Sequence, residues 1–361
     1  MYTQKLKKPD GRNLYLFSRS PIPDGIVAPE PLHASFKAEP HMRWHPLRHE
    51  WVIYAAHRQN RTFLPPKDYS PLNVTTNPKF PTEMPQGEYE VAVFENLFPS
   101  MNLITHNSPE MFVPTMPASG VCEVVVFTQK PEGSLGTLST ERIQLVLEVF
   151  ANRTKELGEK KEIHYVLPFE NKGVEMGVTL HHPHGQIYAY PFIPPVQKTM
   201  LKAMKDFYQA EGKNLLSEMI RDELKAKQRI LFENKNVVVF IPVCARYPYE
   251  TWIMPKRSVK YLYELTNDEY QDLAQALKNI LKRFDLLWQR PFPYLMTILQ
   301  APFDQLEYPE FHMHIQIFPP YRTRDKLKYL AGTELGAGIF INDSLPEEKA
   351  KELNEVIYRE D

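Results

Sequence analysis

The apolar positions of this chain fall into short runs typical of strands and a few longer segments with helical periodicity. Runs rich in β-branched and aromatic residues predict strands at 51–54, 91–94, 122–127, 163–167 and 185–189. Ser139 can cap a helix that ends at Gly158. The apolar residues of that helix share one face: Ile143, Val146, Leu147 and Phe150. Residues 198–230 alternate charged and apolar positions and predict a helical connector.

The order of strand, capped helix, strand and histidine-bearing strand occurs twice along the chain. The run 122–127 has a counterpart at 249–254, and the helix capped by Ser139 has one capped by Thr266, where Glu269 completes a capping box. A histidine pair ends both copies: His182 and His184, then His312 and His314. The cap precedes the second histidine by 45 residues in the first copy and 48 in the second. We therefore predict an internal duplication.

This organisation predicts an α+β fold. Successive strands lack the crossover helices of a parallel sheet, so each module should be a mostly antiparallel sheet with packed helices. Residues 1–42 are rich in proline and predict an extended N-terminal arm. Residues 43–197 form the predicted N-terminal module, and 198–361 form the C-terminal one.

Composition narrows the class of protein. The 361 residues contain 43 Lys+Arg and 44 Asp+Glu, so the chain lacks the basic excess typical of nucleic-acid binding. Its apolar runs are too short to span a bilayer, which excludes a membrane partner, and its first residues do not resemble a signal peptide. Only 2 cysteines are present, too few for a disulfide framework. We expect a cytoplasmic globular protein.

The candidate chemistry lies in the segment His182-Pro-His184-Gly-Gln186. Alternate residues of a strand point to one side, so His182, His184 and Gln186 should share a face, and Gly185 should let a backbone or phosphate approach. A neutral imidazole is a good nucleophile near pH 7. The preceding polar segment offers groups for phosphate oxygens: Asn171, Lys172 and Thr179.

Two other interpretations of the histidines stay open. A His-x-His pair on a strand is often only hydrogen-bonded structure, and it is also a common pair of metal ligands. A metal ion needs three or four ligands, and no Asp, Glu or Cys stands at ligand spacing here. By periodicity, His181 should face the opposite side. A nucleophilic role is therefore favoured over a metal site.

The residues from Asn171-Lys-Gly173 through Gly177-Val-Thr-Leu-His-His-Pro-His-Gly-Gln-Ile187 closely resemble the active-site motif of galactose-1-phosphate uridylyltransferases. This family belongs to the histidine-triad superfamily, and the resemblance runs from Arg43 to about Tyr358. It implies duplicated histidine-triad-like modules and a homodimer that binds a nucleotide sugar and a hexose 1-phosphate. The C-terminal loop would reach the partner's nucleotide site.

The resemblance also implies a ping-pong reaction. His184 would attack the α-phosphorus of UDP-glucose, release glucose 1-phosphate and carry the uridylyl group, which galactose 1-phosphate then accepts to give UDP-galactose. Gln186 stands where hydrolytic relatives have a third histidine. An amide can hold a phosphoryl oxygen but supplies no proton to a leaving group. A sugar phosphate is a good leaving group without that proton, so Gln186 favours transfer.

Other positions match contacts of the same family. Arg58 and Arg61 match phosphate or sugar contacts, and Asn96 matches a nucleotide contact. Asn171 and Thr179 match phosphate contacts. In the C-terminal loop, Lys328 would pair with phosphate and Glu334 with sugar hydroxyls; the aromatic residue often found before that glutamate is Thr333 here.

The metal ligands of the family are mostly missing. Many members hold a zinc ion through a front Cys-x-x-Cys, a mid-chain His and the first His of the motif. The matching segments here are Ser70-Pro-Leu-Asn73 and Lys130-Pro-Glu132, so only His182 remains. Some members hold a second metal ion through a His-x-His that precedes two prolines. At the matching positions before Pro319-Pro320, this chain has His314 and Gln316, so only one of the two histidines is present. We expect no bound metal and no cofactor, with His182 orienting His184.

Two alternative functions stay open at this stage. An ADP-glucose phosphorylase or adenylyltransferase of the same superfamily would use the same nucleophile, because base selection lies in loops that the pattern does not place. A catalytically silent nucleotide-binding protein would not need His184 and Gln186, which are both present.

Overall fold

The computed structural model describes residues 1–30, 39–60, 65 and 70–358. Among these, a single sheet of eleven strands dominates the molecule, in the order β1-β2-β5-β7-β9-β8-β13-β14-β12-β11-β10. Its strands are β1 Tyr2–Lys7, β2 Asn13–Ser18, β5 Val91–Glu95, β7 Val121–Val126, β8 Tyr165–Lys172, β9 His184–Tyr190, β10 Ile230–Glu233, β11 Val237–Phe240, β12 Thr251–Pro255, β13 Tyr294–Leu299 and β14 His314–Phe318. All neighbouring pairs are antiparallel, as predicted.

Two smaller sheets accompany the large one. One pairs β3 His41–His45 with β4 Glu50–Tyr54 and β6 Thr115–Pro117, and the other pairs β15 Tyr321–Thr323 with β16 Lys326–Leu327. The helices are α1 Thr140–Gly158, α2 Pro195–Glu211, α3 Leu215–Ala226, α4 Asn267–Leu287 and α5 Pro346–Asn354. The predicted connector is two helices, because Gly212 ends α2 in a left-handed conformation with φ 65°.

The duplication is visible in the strand order. From one edge of the sheet to its centre, the strands of the first module follow the order β5, β7, β9, β8. From the other edge to the centre, the second module has the matching order β11, β12, β14, β13. Strands β8 and β13 pair at the junction, where Met296 lies opposite Glu170 and Leu295 opposite Asn171. The predicted fold class is therefore confirmed, and the two modules share one continuous sheet.

The main core lies between one face of the sheet and helices α1 and α4. Ser139 and Thr266 cap these helices as predicted, with the Glu269 capping box, and α1 packs against α4. The predicted apolar face of α1 is buried, and one face of α4 is buried through Tyr270, Leu273, Leu277, Ile280 and Phe284. Each fully buried Leu or Phe side chain contributes about 1.5–3 kcal/mol relative to exposure. On the other face, α2 and α3 cover β11 and β12, while the loop around Leu72 and Met84 covers β2, β5 and β7.

Residues 1–18 differ from the predicted extended arm. They form the β1–β2 hairpin, which extends the large sheet beside β5. Strand β2 is almost wholly buried, and its neighbour Lys8 is 2% exposed. The proline-rich composition of residues 21–42 obscured this hairpin. The division at 197/198 stays a prediction. In the part of the chain that the structure describes, we find no helix with the length and apolarity needed to cross a membrane.

Candidate active site

His184 is the first residue of β9 and is partly buried there. Its Nδ1–H donates a hydrogen bond of 2.7 Å to the backbone carbonyl oxygen of His182. Because a carbonyl oxygen only accepts, this bond fixes the proton on Nδ1 and leaves the lone pair of Nε2 available. Burial lowers the pKa of His184 below its usual value, so the ring is neutral at pH 7. Both effects favour a nucleophilic Nε2.

Gln186 shares the sheet face of His184, two residues along β9. It pairs with Phe169 on β8 and with Val124 on β7, and like His184 it is partly exposed, whereas Gly185 between them is buried. The predicted alternation is confirmed for this pair. Its amide is therefore placed on the same side of the sheet as the nucleophile.

The predicted roles of Gly185 and His181 need correction. A Cβ at Gly185 would lie 2.9 Å from the Phe127 and Phe150 rings and 3.0 Å from the Phe169 carbonyl oxygen. The close approach is therefore to the core, because Gly185 points away from the face of His184. His181 lines the same cavity as His184 instead of facing away, since residues 181–183 precede the strand and do not alternate.

His182 lines the same cavity as His184 but lies before the strand, so strand alternation does not apply to it. It precedes β9, and its ring is buried, with 2% of the residue exposed. Its Nε2 donates to the Thr128 carbonyl oxygen at 2.7 Å, and its Nδ1 lies 3.3 Å from Asn73 Oδ1. Burial lowers the pKa of His182, which keeps this ring neutral as well. His182 therefore orients the nucleophile through its backbone carbonyl.

A cavity of about 340 Å³ opens beside the nucleophile. Its lining includes His182, His184, Asn171 and Lys172, together with the loop around Gly173. Gly173 has φ 92°, a left-handed conformation that suits glycine. A larger cleft of about 790 Å³ lies between residues 24–30 and 75–86, but among the described residues no imidazole, amine or guanidinium lines it. The smaller cavity is therefore the candidate active site.

Of the predicted phosphate contacts, Asn171 and Lys172 reach this cavity. Asn171 donates through Nδ2 to the Met176 carbonyl oxygen at 3.3 Å, and its Oδ1 is buried without a hydrogen-bond partner. Lys172 forms a 2.7 Å ion pair with Asp285 of α4. Thr179 is half-buried and lies between lining residues of the cavity without being one of them.

Arg58, predicted to contact phosphate or sugar, and Asn96, predicted to contact the nucleotide, meet at one loop. Arg58 Nη1 donates to the Phe98 carbonyl oxygen at 2.7 Å, and Asn96 Oδ1 accepts from the Phe98 backbone N–H at 2.8 Å. Both side chains thus fix the loop that follows β5. Arg61 lies outside the described residues.

Lys328 and Glu334 contact each other instead of the cavity of their own chain. Their ion pair is 3.0 Å long with both side chains 4% exposed, and Lys328 also donates to the Ile341 carbonyl oxygen at 2.6 Å. The Lys328 ammonium lowers the pKa of Glu334 to about 2. The pair holds the C-terminal loop in shape, and its predicted contact with hexose phosphate stays a prediction.

Glu170 is a site residue that the sequence analysis missed. Its carboxyl is buried beside the cavity, accepts a 2.9 Å hydrogen bond from the Tyr294 hydroxyl, and has its pKa raised to about 7 by burial. The available signal was a glutamate inside an apolar strand, where a charged side chain needs a partner. That partner is 124 residues away in the sequence.

The second module repeats the backbone geometry of the first, but its second histidine is buried and hydrogen-bonded at both ring nitrogens. His314 Nδ1–H donates to the His312 carbonyl oxygen at 3.0 Å, as His184 does to His182. Gln316 donates to His314 Nε2 at 3.1 Å, and the Trp252 ring packs on the imidazole. His314 is 1% exposed, so this copy offers no accessible nucleophile.

The residues at the family's zinc position do not fit a zinc ion. Both ring nitrogens of His182 already have polar neighbours, and the Ser70 hydroxyl accepts from the backbone N–H of Leu72 at 3.3 Å. An asparagine amide is a poor substitute for a thiolate as a zinc ligand. Across the described ranges, no group of three His, Cys, Asp or Glu side chains is arranged to hold a metal ion.

An oriented, neutral imidazole beside an asparagine amide and a lysine ammonium, on a duplicated antiparallel sheet, is the architecture of a histidine-dependent nucleotidyltransferase. Sequence models of the N-terminal and C-terminal domains of galactose-1-phosphate uridyl transferase match residues 32–194 and 200–359. The chain therefore belongs to the galactose-1-phosphate uridylyltransferase family.

Individual relatives cover almost the whole chain. The galactose-1-phosphate uridylyltransferase of Thermotoga maritima is 36% identical over 320 residues, which is 87% of this chain and 98% of that protein. A solved uridylyltransferase structure has a TM-score of 0.78 at 31% identity and covers 88% of this chain and 98% of its own. An ADP-glucose phosphorylase from Arabidopsis thaliana with bound ADP-glucose has a TM-score of 0.68 at 25% identity, covering 88% of this chain and all of its own.

Proposed function

We propose that this protein transfers UMP from UDP-glucose to galactose 1-phosphate, giving UDP-galactose and glucose 1-phosphate in galactose metabolism. The observation that carries the proposal is the hydrogen bond from His184 Nδ1–H to the His182 carbonyl oxygen, which leaves Nε2 available at a cavity of about 340 Å³. Family membership supports the substrate class.

The reaction follows from that geometry in two displacements. His184 Nε2 attacks the α-phosphorus of UDP-glucose, and the bond from that phosphorus to the bridging oxygen breaks. Glucose 1-phosphate leaves with both bonding electrons, and a uridylyl-imidazole remains. A phosphate oxygen of galactose 1-phosphate then attacks the same phosphorus and expels His184 as the neutral ring. The two transfers break and form the same kinds of bond, so the equilibrium constant of the overall reaction should be close to one.

The neighbouring groups stabilise charge on the transferred phosphoryl group. The Gln186 amide lies on the nucleophile's face and can donate to a phosphoryl oxygen. The Asn171 amide lies at the cavity, and its hydrogen bond to Met176 fixes its direction. Lys172 adds positive charge, which Asp285 partly balances in the absence of substrate. These side chains bind and orient, and none of them needs to move a proton.

Intact mass measurement tests the proposal directly. The protein is incubated with UDP-glucose without acceptor, and one uridylyl group per chain is expected on the wild type and none on His184→Gln. Galactose 1-phosphate should then remove the group. Wild-type protein that stays unmodified at saturating UDP-glucose would contradict the covalent mechanism and support the catalytically silent alternative.

A second candidate is an ADP-glucose phosphorylase activity. The structural similarity to the Arabidopsis enzyme favours it as the alternative, at lower identity than the uridylyltransferases. The same mass experiment with ADP-glucose decides between them, because an adenylyl adduct differs in mass from a uridylyl adduct.

We further propose a cytoplasmic homodimer. The sheet face of His184 carries half-exposed aromatic side chains at Phe169, Tyr188 and Phe318, between the parts that α2, α3 and the 70–85 loop cover. This strip supports contact with a second chain. Both cysteines are free thiols, which is typical of a reducing compartment.

A further inference from the structure

The buried His182 ring contacts Asn73, a residue outside the histidine motif that the sequence pattern does not predict to lie near it. Asn73 lies in the loop before β5, 109 residues from His182, and its side-chain Oδ1 lies 3.3 Å from the ring Nδ1. The other ring nitrogen, Nε2, is 2.7 Å from the Thr128 carbonyl oxygen. The buried imidazole is thus held on both sides by groups from two different segments.

The direction of these bonds follows from the donors available. The Thr128 carbonyl oxygen only accepts, so the proton of the neutral ring is on Nε2. The lone pair on Nδ1 then needs a donor. The Asn73 amide meets this need when its Nδ2 faces the ring, a rotation of the amide that ordinary structures do not distinguish. The two bonds together fix the plane of the ring.

The second module supplies an internal comparison. His312 Nε2 donates to the Pro255 carbonyl oxygen at 2.8 Å, and its Nδ1 lies 3.3 Å from the Ser217 hydroxyl. His314 then donates to the His312 carbonyl oxygen. The first histidine of each module therefore has a carbonyl oxygen at Nε2 and a neutral polar side chain 3.3 Å from Nδ1. This arrangement does not require a metal ion.

The loop that carries Asn73 is itself anchored. The Lys8 ammonium forms a 2.8 Å ion pair with Glu83, with side chains 0% and 5% exposed, and also donates to the Glu83 carbonyl oxygen at 2.8 Å. The Asn73 backbone N–H donates to the Ser70 carbonyl oxygen at 3.0 Å. The N-terminal hairpin thus keeps the loop, and with it Asn73, against His182.

We propose that Asn73 is a positioning residue for the nucleophile: its amide clamps the His182 ring, so hydrogen bonds replace the metal ion of zinc-containing members in aiming the carbonyl that orients His184. The inference rests on the proposed function for its kinetic consequence only. The proton position on His184 is a property of the free protein, and it tests the clamp even if the substrate assignment fails.

The primary experiment compares Asn73→Ala with two matched variants. Ser217→Ala removes the equivalent contact from His312 in the second module, and Asn77→Ala truncates an exposed asparagine on the same loop. For Asn73→Ala we expect about a tenfold loss of kcat for UMP transfer, with little change in KM for UDP-glucose. Neither control should change kcat more than twofold. Equal losses in Asn73→Ala and Ser217→Ala would overturn the proposal.

Nitrogen NMR of histidine-labelled protein gives the readout that does not depend on activity. In the wild type, His184 should be the neutral Nδ1–H form, with its signal assigned by its loss in His184→Gln. Asn73→Ala should shift the ring toward a mixture of both neutral forms, whereas Asn77→Ala should leave the wild-type signal unchanged. An unchanged His184 signal in Asn73→Ala would overturn the clamp.

Elemental analysis completes the test. Protein purified without added metal is expected to contain well under one zinc or iron per chain, and EDTA should change neither its thermal midpoint nor the His184 signal. One tightly held metal ion per chain, with a changed His184 signal after its removal, would show that a metal and not Asn73 aims the nucleophile.

Discussion

At the scale of single residues, His184 has its proton fixed on Nδ1 and an available lone pair on Nε2. His184→Gly is expected to abolish transfer, because it removes the attacking nitrogen while the backbone at position 184 stays paired with Val126 and Gly185 with Val125. Free imidazole should restore part of the activity by filling the space of the lost ring. Normal turnover of the variant without imidazole would contradict the covalent role.

The pH profile follows from the same environment. Burial lowers the pKa of His184, so the ring stays unprotonated, and therefore nucleophilic, below the usual value of 6.5. We expect the acidic limb of kcat/KM to have its midpoint below pH 6.5. Rates with UDP-glucose between pH 4.5 and 8 measure it, and a midpoint at or above 6.5 would contradict the burial argument.

Glu170 should make the free energy of unfolding depend on pH. Its pKa is about 7 in the folded protein against 4.5 for an ordinary carboxyl, so the unfolded chain releases this proton first as pH rises. Stability is therefore greatest below pH 4.5 on this account, and about 3 kcal/mol is lost between pH 4.5 and 7. Glu170→Gln should stabilise the protein at pH 8 and have much less effect at pH 5.

Chemical denaturation at the two pH values measures this difference. Glu88→Gln removes an exposed carboxylate and controls for the change in net charge. If Glu170→Gln has the same effect at pH 5 and pH 8, the carboxyl is not held in its protonated form.

The residues that the sequence placed correctly are those related by local periodicity. His184 and Gln186 lie two apart on one strand, so alternation was enough to put them on one face. Asn73 contacts His182 across 109 residues of sequence, and Tyr294 contacts Glu170 across 124. Such contacts depend on the tertiary path of the chain, and no spacing rule reports them.

At the scale of elements, β9 depends on a glycine for reasons of packing. In Gly185→Ala the new Cβ would meet two phenylalanine rings and a carbonyl oxygen at 2.9–3.0 Å. We expect a loss of about 1–3 kcal/mol in the free energy of unfolding, measured by denaturant titration. Gly332→Ala is the control, since a Cβ there meets nothing within 4 Å and its φ is −60°. Equal effects of the two changes would contradict the packing argument.

The capped helices were predictable because their signals are local. Ser139 and Thr266 lie directly before apolar periodicity, and the structure places both as N-caps. Strands β1 and β2 flank the turn residues Pro9-Asp10-Gly11, but a turn signal does not report burial, and β2 is buried because it pairs with β5. Burial of a strand by a distant partner is a tertiary effect.

At the scale of the whole molecule, the position of Lys328 and Glu334 outside the cavity raises the question of which chain's site their loop completes. The C-terminal loop does not line the cavity beside His184 in its own chain. A homodimer in which each loop completes the partner's site predicts that mixing two inactive variants, His184→Gly and Glu334→Ala, restores part of the activity. Hybrid dimers then contain one intact site.

Subunit exchange has to be demonstrated in the same samples, by native mass spectrometry of differently tagged chains. Each variant alone, and a mixture of two His184→Gly preparations, should remain inactive. Proven exchange with no recovery would contradict a shared site and leave each chain to close its own.

The pairing of β8 with β13 has a consequence for how the protein comes apart. The two matched domains meet through backbone hydrogen bonds, the Lys172–Asp285 ion pair and the Glu170–Tyr294 bond, with α1 packed on α4 behind them. Neither half can melt without baring an unpaired strand edge of the other. Calorimetry should therefore record one transition rather than two, and each half expressed alone should self-associate through that edge.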